Sequence, residues 1–357
     1  ERRNFEDRLA ELGGRDRGQK GGFKSIALDD YLDAQVDSDP DGPIGIVTVA
    51  GEIVDGKARL GTAGGDSIAR SIDKALDDDG VKALVVRVDS PGGSVTGSER
   101  IRRALIEVRR RGIPVVISMG SVAASGGYWI ATAGDTILAE PSTITGSIGV
   151  FGVLPSFEGT LQRIGVGADG VQTTPLSGEP NLFEGPSAEA DRLLQMGVES
   201  TYRRFVWLVS RARNLPPQRV HQIAQGRVWD GGAARQLGLI DRFGSLDDAI
   251  AEAARRANLE GDDARTVYLE REPGFLAELF RGMAQGEAQA SRDPFARLAR
   301  RPEAMLERAL ADAHALLAGP AIQARCLECP MPAPVRRVTG RAPSGLIEQL
   351  LAWVWRG

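Results

Sequence analysis

Residues 82–95 read KALVVRVDSPGGSV. KALVVRVD is a near-continuous apolar run, the pattern of a strand buried on both faces of a parallel sheet. On its N-terminal side, PIGIVTVAGEIV (43–54) reads as another strand, and GGDSIARSIDKALDDDG (64–80) reads as a helix with Asp66 as its N-terminal cap. On its C-terminal side, SVTGSERIRRALIEVRRRG (94–112) is a helix that places Ile101, Ala104, Leu105 and Val108 on one face. The run Arg109–Arg111 at its end reads as a solvated face that complements the helix dipole.

The alternation continues. IPVVISMG (113–120) is a strand, SGGYWIATAG (125–134) starts a helix, DTILAE (135–140) is a strand, and TGSIGVFGV (145–153) is a glycine-punctuated turn or strand. Strands and helices alternating at this spacing predict right-handed βαβ units and a mostly parallel sheet, hence an α/β fold. After residue 186 the pattern is helical, through 187–214, 216–226 and 230–238, followed by a short strand at Leu239–Asp241 and a helix over 244–259. Residues 1–42 are charged and Gly-rich, a lead segment or linker, and 43–259 form the main domain. A helical and irregular extension over 260–342 and an amphipathic helix over 343–357 complete the expected organisation. The apolar stripe of that last helix (Leu346, Ile347, Leu350, Leu351, Val354, Trp355) suits docking on protein better than lying on a membrane surface.

Bulk properties narrow the function. At 42% hydrophobic and 26% charged residues, the 357-residue chain has the composition of a soluble globular protein. A formal charge of −4 argues against nucleic-acid binding, which needs a concentrated basic surface. No run of 18 apolar residues is present to span a bilayer. Of the 44 basic residues, 39 are arginine, and arginine rarely serves as a general base. The two cysteines, Cys326 and Cys329, stand in CLECP, and a local bridge or an inert pair suits them better than zinc or redox chemistry. No metal or cofactor site is expected.

Two stretches carry chemistry: DSPGGSV (89–95) directly after one buried strand and AASGGYW (123–129) after the next. In a parallel sheet both loops emerge at the carboxyl ends of the strands, where ligands bind. Glycine N–H groups in the first loop suit a developing oxyanion. A serine at the first turn of a helix, here Ser125, is exposed beside free N–H donors. Each motif alone has a plainer reading, as close helix–sheet packing or an ordinary N-cap; in this order on adjacent loops they point to a nucleophile and its oxyanion donors.

These residues are recognisable. VVRVDSPGGSVTGSERIRRAL (85–105), ISMGSVAASGGYWIATAGDTILAEPSTITGSIGVFGV (117–153) and IAQGRVWDGGAARQLGLID (223–241) closely resemble the peptidase S49 family, specifically the C-terminal half of its long, tandem-repeat form. The resemblance covers most of 40–275 and resumes at CLEC. It implies a ClpP/crotonase-type fold and a serine–lysine dyad. It also implies a homotetramer anchored on the bacterial inner membrane, its catalytic part on the periplasmic side, that degrades remnant signal peptides and other hydrophobic peptides. Carried over by position, Ser125 matches the nucleophile, Ser147 the serine that orients the lysine, and Gly93 and Gly126 the backbone oxyanion donors.

One element of the pattern is missing. In single-repeat members the lysine lies downstream of the TGSIGV turn, but the corresponding stretch here, VGADGVQTTPLSGEPNL (166–182), has none. Lys20, Lys24, Lys57, Lys74 and Lys82 all precede Ser125; Lys74 and Lys82 read as surface charges, Lys57 sits in a turn after the first strand, and Lys20 and Lys24 lie in the lead segment. His221 reads as exposed on a helix and His314 belongs to the tail, so a Ser–His–Asp triad is not expected. In the long form the lysine comes from the N-terminal repeat. With Glu at position 1, this chain reads as a piece of something longer, with base and anchor upstream. The alternatives are a crotonase-like acyl-CoA enzyme, which would not need Ser125, and a non-catalytic scaffold whose C-terminal helices hold a ring together.

Overall fold

The computed structural model describes residues 2–16, 18, 22–26, 42–58, 61–77, 80–154, 156, 158–165, 173–174, 176–177, 179, 181, 185–269 and 322–326. The chain divides into two compact units, Glu1–Asp41 and Gly42–Gly357. The first holds helix α1 (Arg2–Gly13) and a short antiparallel bridge between Arg15 and Phe23. Of the extension expected over 260–342 only 260–269 and 322–326 are described, and the helix expected over 343–357 lies outside the described residues, as do Lys20, Cys329 and His314.

The second unit begins with β1 (Ile44–Ala50), β2 (Glu52–Val54) and β3 (Thr62–Gly64), followed by α2 (Gly65–Asp77). Then come β4 (Ala83–Ser90), β5 (Gly92–Ser94), α3 (Val95–Arg110), β6 (Val115–Ala124) and α4 (Gly126–Ala131). Next are β7 (Thr136–Ala139), β8 (Ile144–Gly146), β9 (Phe151–Gly152), α5 (Glu158–Arg163), α6 (Ala188–Arg213) and α7 (Pro217–Ile223). The order closes with β10 (Val228–Asp230), α8 (Gly231–Gln236), β11 (Arg242–Phe243), α9 (Leu246–Arg256), β12 (Thr266–Tyr268) and β13 (Ile322–Arg325).

The main sheet runs β10-β8-β6-β4-β1-β12, with β7 also paired to β6 and β11 to β7. Every pairing in it is parallel except β8 with β10. The mostly parallel α/β sheet is therefore as the sequence predicts. Strand β4 shows why its apolar run has no alternation: Leu84, Val86 and Val88 join the larger core with Ile101, Leu105 and Val108 of α3. Ala83 and Val85 face the other side, against Ala249, Ala253 and Ala254 of α9. Fully burying such side chains stabilises the fold by about 1.5–3 kcal/mol each, and helices on both faces supply the cover.

Two local readings need correction. Asp66 does not cap α2 from outside; it lies in the first turn, where its N–H donates to Gly56 O at 2.9 Å and its carboxylate faces the positive helix end. The short strand expected at Leu239–Asp241 begins three residues later, as β11. Leu239 and Ile240 are instead fully buried core, and the Asp241 side chain accepts from Ile137 N at 2.7 Å and from Arg213 at 2.6 Å.

A second sheet, absent from the sequence reading, runs β3-β2-β5-β13-β9. Its strands are of two to four residues, too short to carry a periodicity. Long β6 serves two neighbours within the main sheet. Its first half, Val116–Ser118, pairs with β7, and its last three residues pair with β8, so two different neighbours share one edge. Among the described residues no helix is long and apolar enough to cross a membrane.

Candidate active site

The carboxyl ends of β4, β6 and β8 converge on one place. Ser125 follows β6 directly and has φ +53° and ψ −112°, a left-handed backbone that a side chain adopts only under constraint. Two bonds impose it. Ser125 N–H donates to Gly146 O at 2.9 Å, and Ser125 O accepts from Trp129 N–H at 2.8 Å to open α4. The side chain makes no capping bond to that helix. Contrary to the exposed position expected for it, its Oγ is fully buried, enclosed where the glycine loops and β8 meet, and among the described residues it is the sole buried side-chain polar atom without a hydrogen-bond partner. An ordinary N-cap serine spends its hydroxyl on the helix; this one does not.

Ser147 sits beside it. Ala124 is paired with Gly146 across β6 and β8, so Ser125 and Ser147 leave the sheet at the same level on neighbouring strands, which in a sheet lie roughly 5 Å apart. Ser147 also has positive φ (+46°), is buried, and donates its N–H to Arg227 O at 2.7 Å.

The DSPGG loop is built against the same point. Gly92 has φ +98°, and a Cβ there would run into Gly126 N at 2.6 Å and Ala124 O at 3.1 Å. A Cβ on Gly126 would meet Ser98 Oγ at 2.6 Å and Gly92 Cα at 3.1 Å. The two glycine loops are thus interlocked, backbone against backbone. Gly93 (φ +146°) lies against Ile53 of β2, leaving no room for a side chain either. Together these contacts bring Gly93, Gly126, Ser125 and Ser147 into one cluster.

Several supports were missed in the sequence. Ser90 Oγ donates to Gly51 O at 2.6 Å and accepts from Gly92 N–H at 3.1 Å, fixing the start of the loop. Asp55 Oδ1 accepts from Ser94 Oγ and Thr96 Oγ1, both at 2.6 Å, while Ser94 caps α3 by accepting from Gly97 N–H at 3.1 Å. Ser94 was legible as a helix start; Asp55, 39 residues away, had no local signal. Helix α4 is held by its aromatics: Tyr128 OH donates to Leu239 O at 2.7 Å, and Trp129 packs on Phe205 with ring centroids 4.8 Å apart.

Trp129 Nε1 also donates to Glu99 at 2.9 Å. Glu99, 13% exposed, accepts in addition from Arg102 at 2.7 Å, Arg103 at 3.0 Å and Arg204 at 2.8 Å. Burial by itself would raise its carboxyl, but the hydrogen bonds from Arg102, Trp129 and Arg103 outweigh that and lower it from 4.5 to about 2. Glu99, which the sequence does not single out, is the ionic anchor of the helix that follows Ser125.

Ser125 Oγ is hydrogen-bonded to no base among the described residues. Lys24, Lys57, Lys74 and Lys82 are all exposed. His221 is exposed too, with its ring nitrogens engaged by Tyr202 OH (2.8 Å) and Gln225 (3.2 Å). Among the described residues no cluster of His, Cys, Asp or Glu suits a metal. Cys326 is in a disulfide. A cleft of about 500 Å³ lined by Ile106, Arg109, Arg110, Ile113, Pro114 and Asp135 opens beyond the other end of β6, whose ten residues span roughly 30 Å. It has no part in this chemistry.

The sequence profile of peptidase family S49 matches residues 107–260. Protease 4 of Salmonella typhi is 45% identical over 238 residues, covering 67% of this chain and 38% of that protein. Protease 4 of Haemophilus influenzae is 42% identical over 267 residues, 74% of this chain and 43% of the relative. "Putative protease slr0021" of Synechocystis is 34% identical over 217 residues, 61% of this chain and 78% of its own length. The chain therefore spans about two fifths of the two Protease 4 relatives and most of the shorter one.

Proposed function

The chain belongs to peptidase family S49, and from that premise we propose that it is the nucleophile-bearing part of a serine peptidase of hydrophobic peptides, with Ser125 attacking the peptide carbonyl. The observation that carries the reading is the Ser125 hydroxyl: buried, on a constrained left-handed residue, and bonded to nothing. A structural serine would spend that hydroxyl, since leaving it unsatisfied costs about 1–3 kcal/mol.

In the proposed cycle a base takes the Ser125 proton as Oγ attacks the carbonyl carbon. The N–H groups of Gly93 and Gly126 hold the resulting oxyanion, and each such donor contributes about 3–4 kcal/mol to the transition state. Collapse breaks the C–N bond, the base returns its proton to the leaving amine, and water then hydrolyses the ester on Ser125. A lysine suits the role of base when desolvation lowers its pKa. The exposed lysines of this chain do not fit it, so we assign the base to a lysine of a second repeat, oriented by Ser147. The same reading extends to a homotetramer at the bacterial inner membrane facing the periplasm; exposed Leu193, Met196 and Trp207 on α6 are suited to such contacts.

The test is hydrolysis of an apolar fluorogenic peptide by this chain and by a two-repeat protein containing it, each with and without Ser125→Ala. The expected result is weak turnover by the chain, strong turnover by the longer protein, and loss of it in the variant. Strong hydrolysis by the chain after replacement of all five lysines would overturn the off-chain base. A fluorophosphonate that fails to label Ser125 in the longer protein would favour the scaffold reading, and thioester hydrolysis independent of Ser125 the acyl-CoA reading.

A further inference from the structure

Strand β13 lies between β5, the strand of the glycine loop, and β9. It is antiparallel to both, with Ala324 opposite Gly93, Gln323 opposite Ser94 and Phe151, and Ile322 opposite Gly152. Just beyond it, Cys326 N–H donates to Pro91 O at 2.7 Å. Hydrogen-bonded and non-hydrogen-bonded pairs alternate along an antiparallel ladder. A bonded pair at Cys326 and Pro91 therefore makes Ala324 and Gly93 the next bonded pair, in which Gly93 N–H faces the Ala324 carbonyl.

The surroundings of that carbonyl agree. Ala324 O is the atom closest to the open side of Gly92, and it lies 3.0 Å from where a Gly126 Cβ would stand. A peptide carbonyl of the chain itself thus rests against both residues assigned to the oxyanion site, next to the loop that carries the unpartnered Ser125 hydroxyl. Ala324 is fully buried, and Cys326 packs with Val122, Ala124, Ile144 and Val228. Two side chains spaced by two residues thus point into the protein, as an added strand presents them.

We propose that residues 322–326 hold the peptide cleft as a built-in substrate surrogate, which an incoming peptide must displace. We further infer that the cleft takes an extended chain with a small side chain at the residue whose carbonyl enters the oxyanion site. The purpose of the cleft rests on the peptidase reading; the occupancy rests on strand register alone. Cys326 packs with Ala124, the residue before the fully buried Ser125, so displacement of 322–326 is expected to open the serine to solvent.

The experiment uses the whole chain and a fluorescein-labelled hexapeptide copying residues 321–326 with serine in place of cysteine. Ala324→Trp removes the fit of the surrogate. Peptide affinity, read by anisotropy, is expected to rise at least tenfold in that variant, and a peptide with Trp in place of its Ala is expected not to bind. In the unaltered chain, saturating peptide should strip hydrogen-exchange protection from 322–326 while β5 keeps its own. If Ala324→Trp fails to fold by circular dichroism, this exchange measurement decides. Equal affinities in both chains, or peptide binding with protection of 322–326 unchanged, would overturn the proposal. Both readouts are binding and not turnover. Loss of hydrolysis in Ser125→Ala with no surrogate displacement sinks this inference alone, and the reverse outcome sinks the catalytic reading alone.

Discussion

Glu99→Gln should uncouple acid stability from the fold in a measurable way. The Glu99 carboxyl is lowered from 4.5 to about 2 despite burial, by hydrogen bonds from Arg102, Trp129 and Arg103. A group whose pKa is depressed on folding contributes stability above its unfolded value and loses it as pH falls through the folded one. Each pH unit of depression is worth about 1.4 kcal/mol, which makes the ionised carboxylate worth about 3 kcal/mol. Two of its partners, Arg103 and Arg204, are 69% and 48% exposed, so solvent screening trims the gain. We expect about 2–3 kcal/mol lost at pH 7 in Glu99→Gln. The assay is urea unfolding of both proteins at half-unit steps from pH 7 to 2. The difference should be flat down to about pH 4.5, then shrink towards zero near pH 2. A difference below about 0.5 kcal/mol at pH 7, or one that stays constant to pH 2, would refute the argument. Because Trp129 then donates to a neutral amide oxygen in place of a carboxylate, peptide turnover in the two-repeat protein should also fall, with kcat dropping more than KM rises.

Other expectations concern the site itself. Ser125→Ala should leave stability unchanged or raise it by about 1 kcal/mol, since it deletes an unsatisfied buried hydroxyl; differential scanning calorimetry showing a loss above 1 kcal/mol would mean the hydroxyl is bonded after all. Gly92→Ala puts a Cβ against Gly126 N at 2.6 Å on a residue with φ +98°. It should cost about 1–3 kcal/mol of stability and at least a hundredfold in kcat/KM; wild-type turnover in this variant would remove the loop from the oxyanion site. Asp55→Ala frees Ser94 and Thr96 and should cost about 1–2 kcal/mol, measured by urea unfolding.

What was legible was local. The apolar run of β4, the Ile101–Leu105–Val108 face of α3 and the glycine loops after β4 and β6 each carry their signal within a dozen residues, and the structure has them. The cluster around Ser125 follows from the parallel order of three strands. What stayed hidden depends on partners far along the chain. AIQARC has no strand signature, and only pairing with Gly92–Ser94, some 230 residues away, makes it β13. Asp55 reads as a turn residue until Ser94 and Thr96 reach it. Glu99 sits among arginines on a helix that looks solvated, and Trp129 and Arg204, from two other helices, turn it inward. The strand expected at 239–241 forms at 242–243, where the ladder with β7 runs, while the Asp241 side chain bonds to Arg213 and Ile137, partners far along the chain.

The contact of Gly92 with Gly126 has a consequence for how such a site can change. Each glycine excludes a side chain on the other's loop, so the two motifs are a single unit of variation, although 33 residues of helix and strand separate them. Chimeras with a crossover between residues 94 and 124 would keep the site only where both parents already carry the bare backbone. A transplant of the serine loop onto another sheet must bring its glycine partner along, or the two bare backbones will never meet.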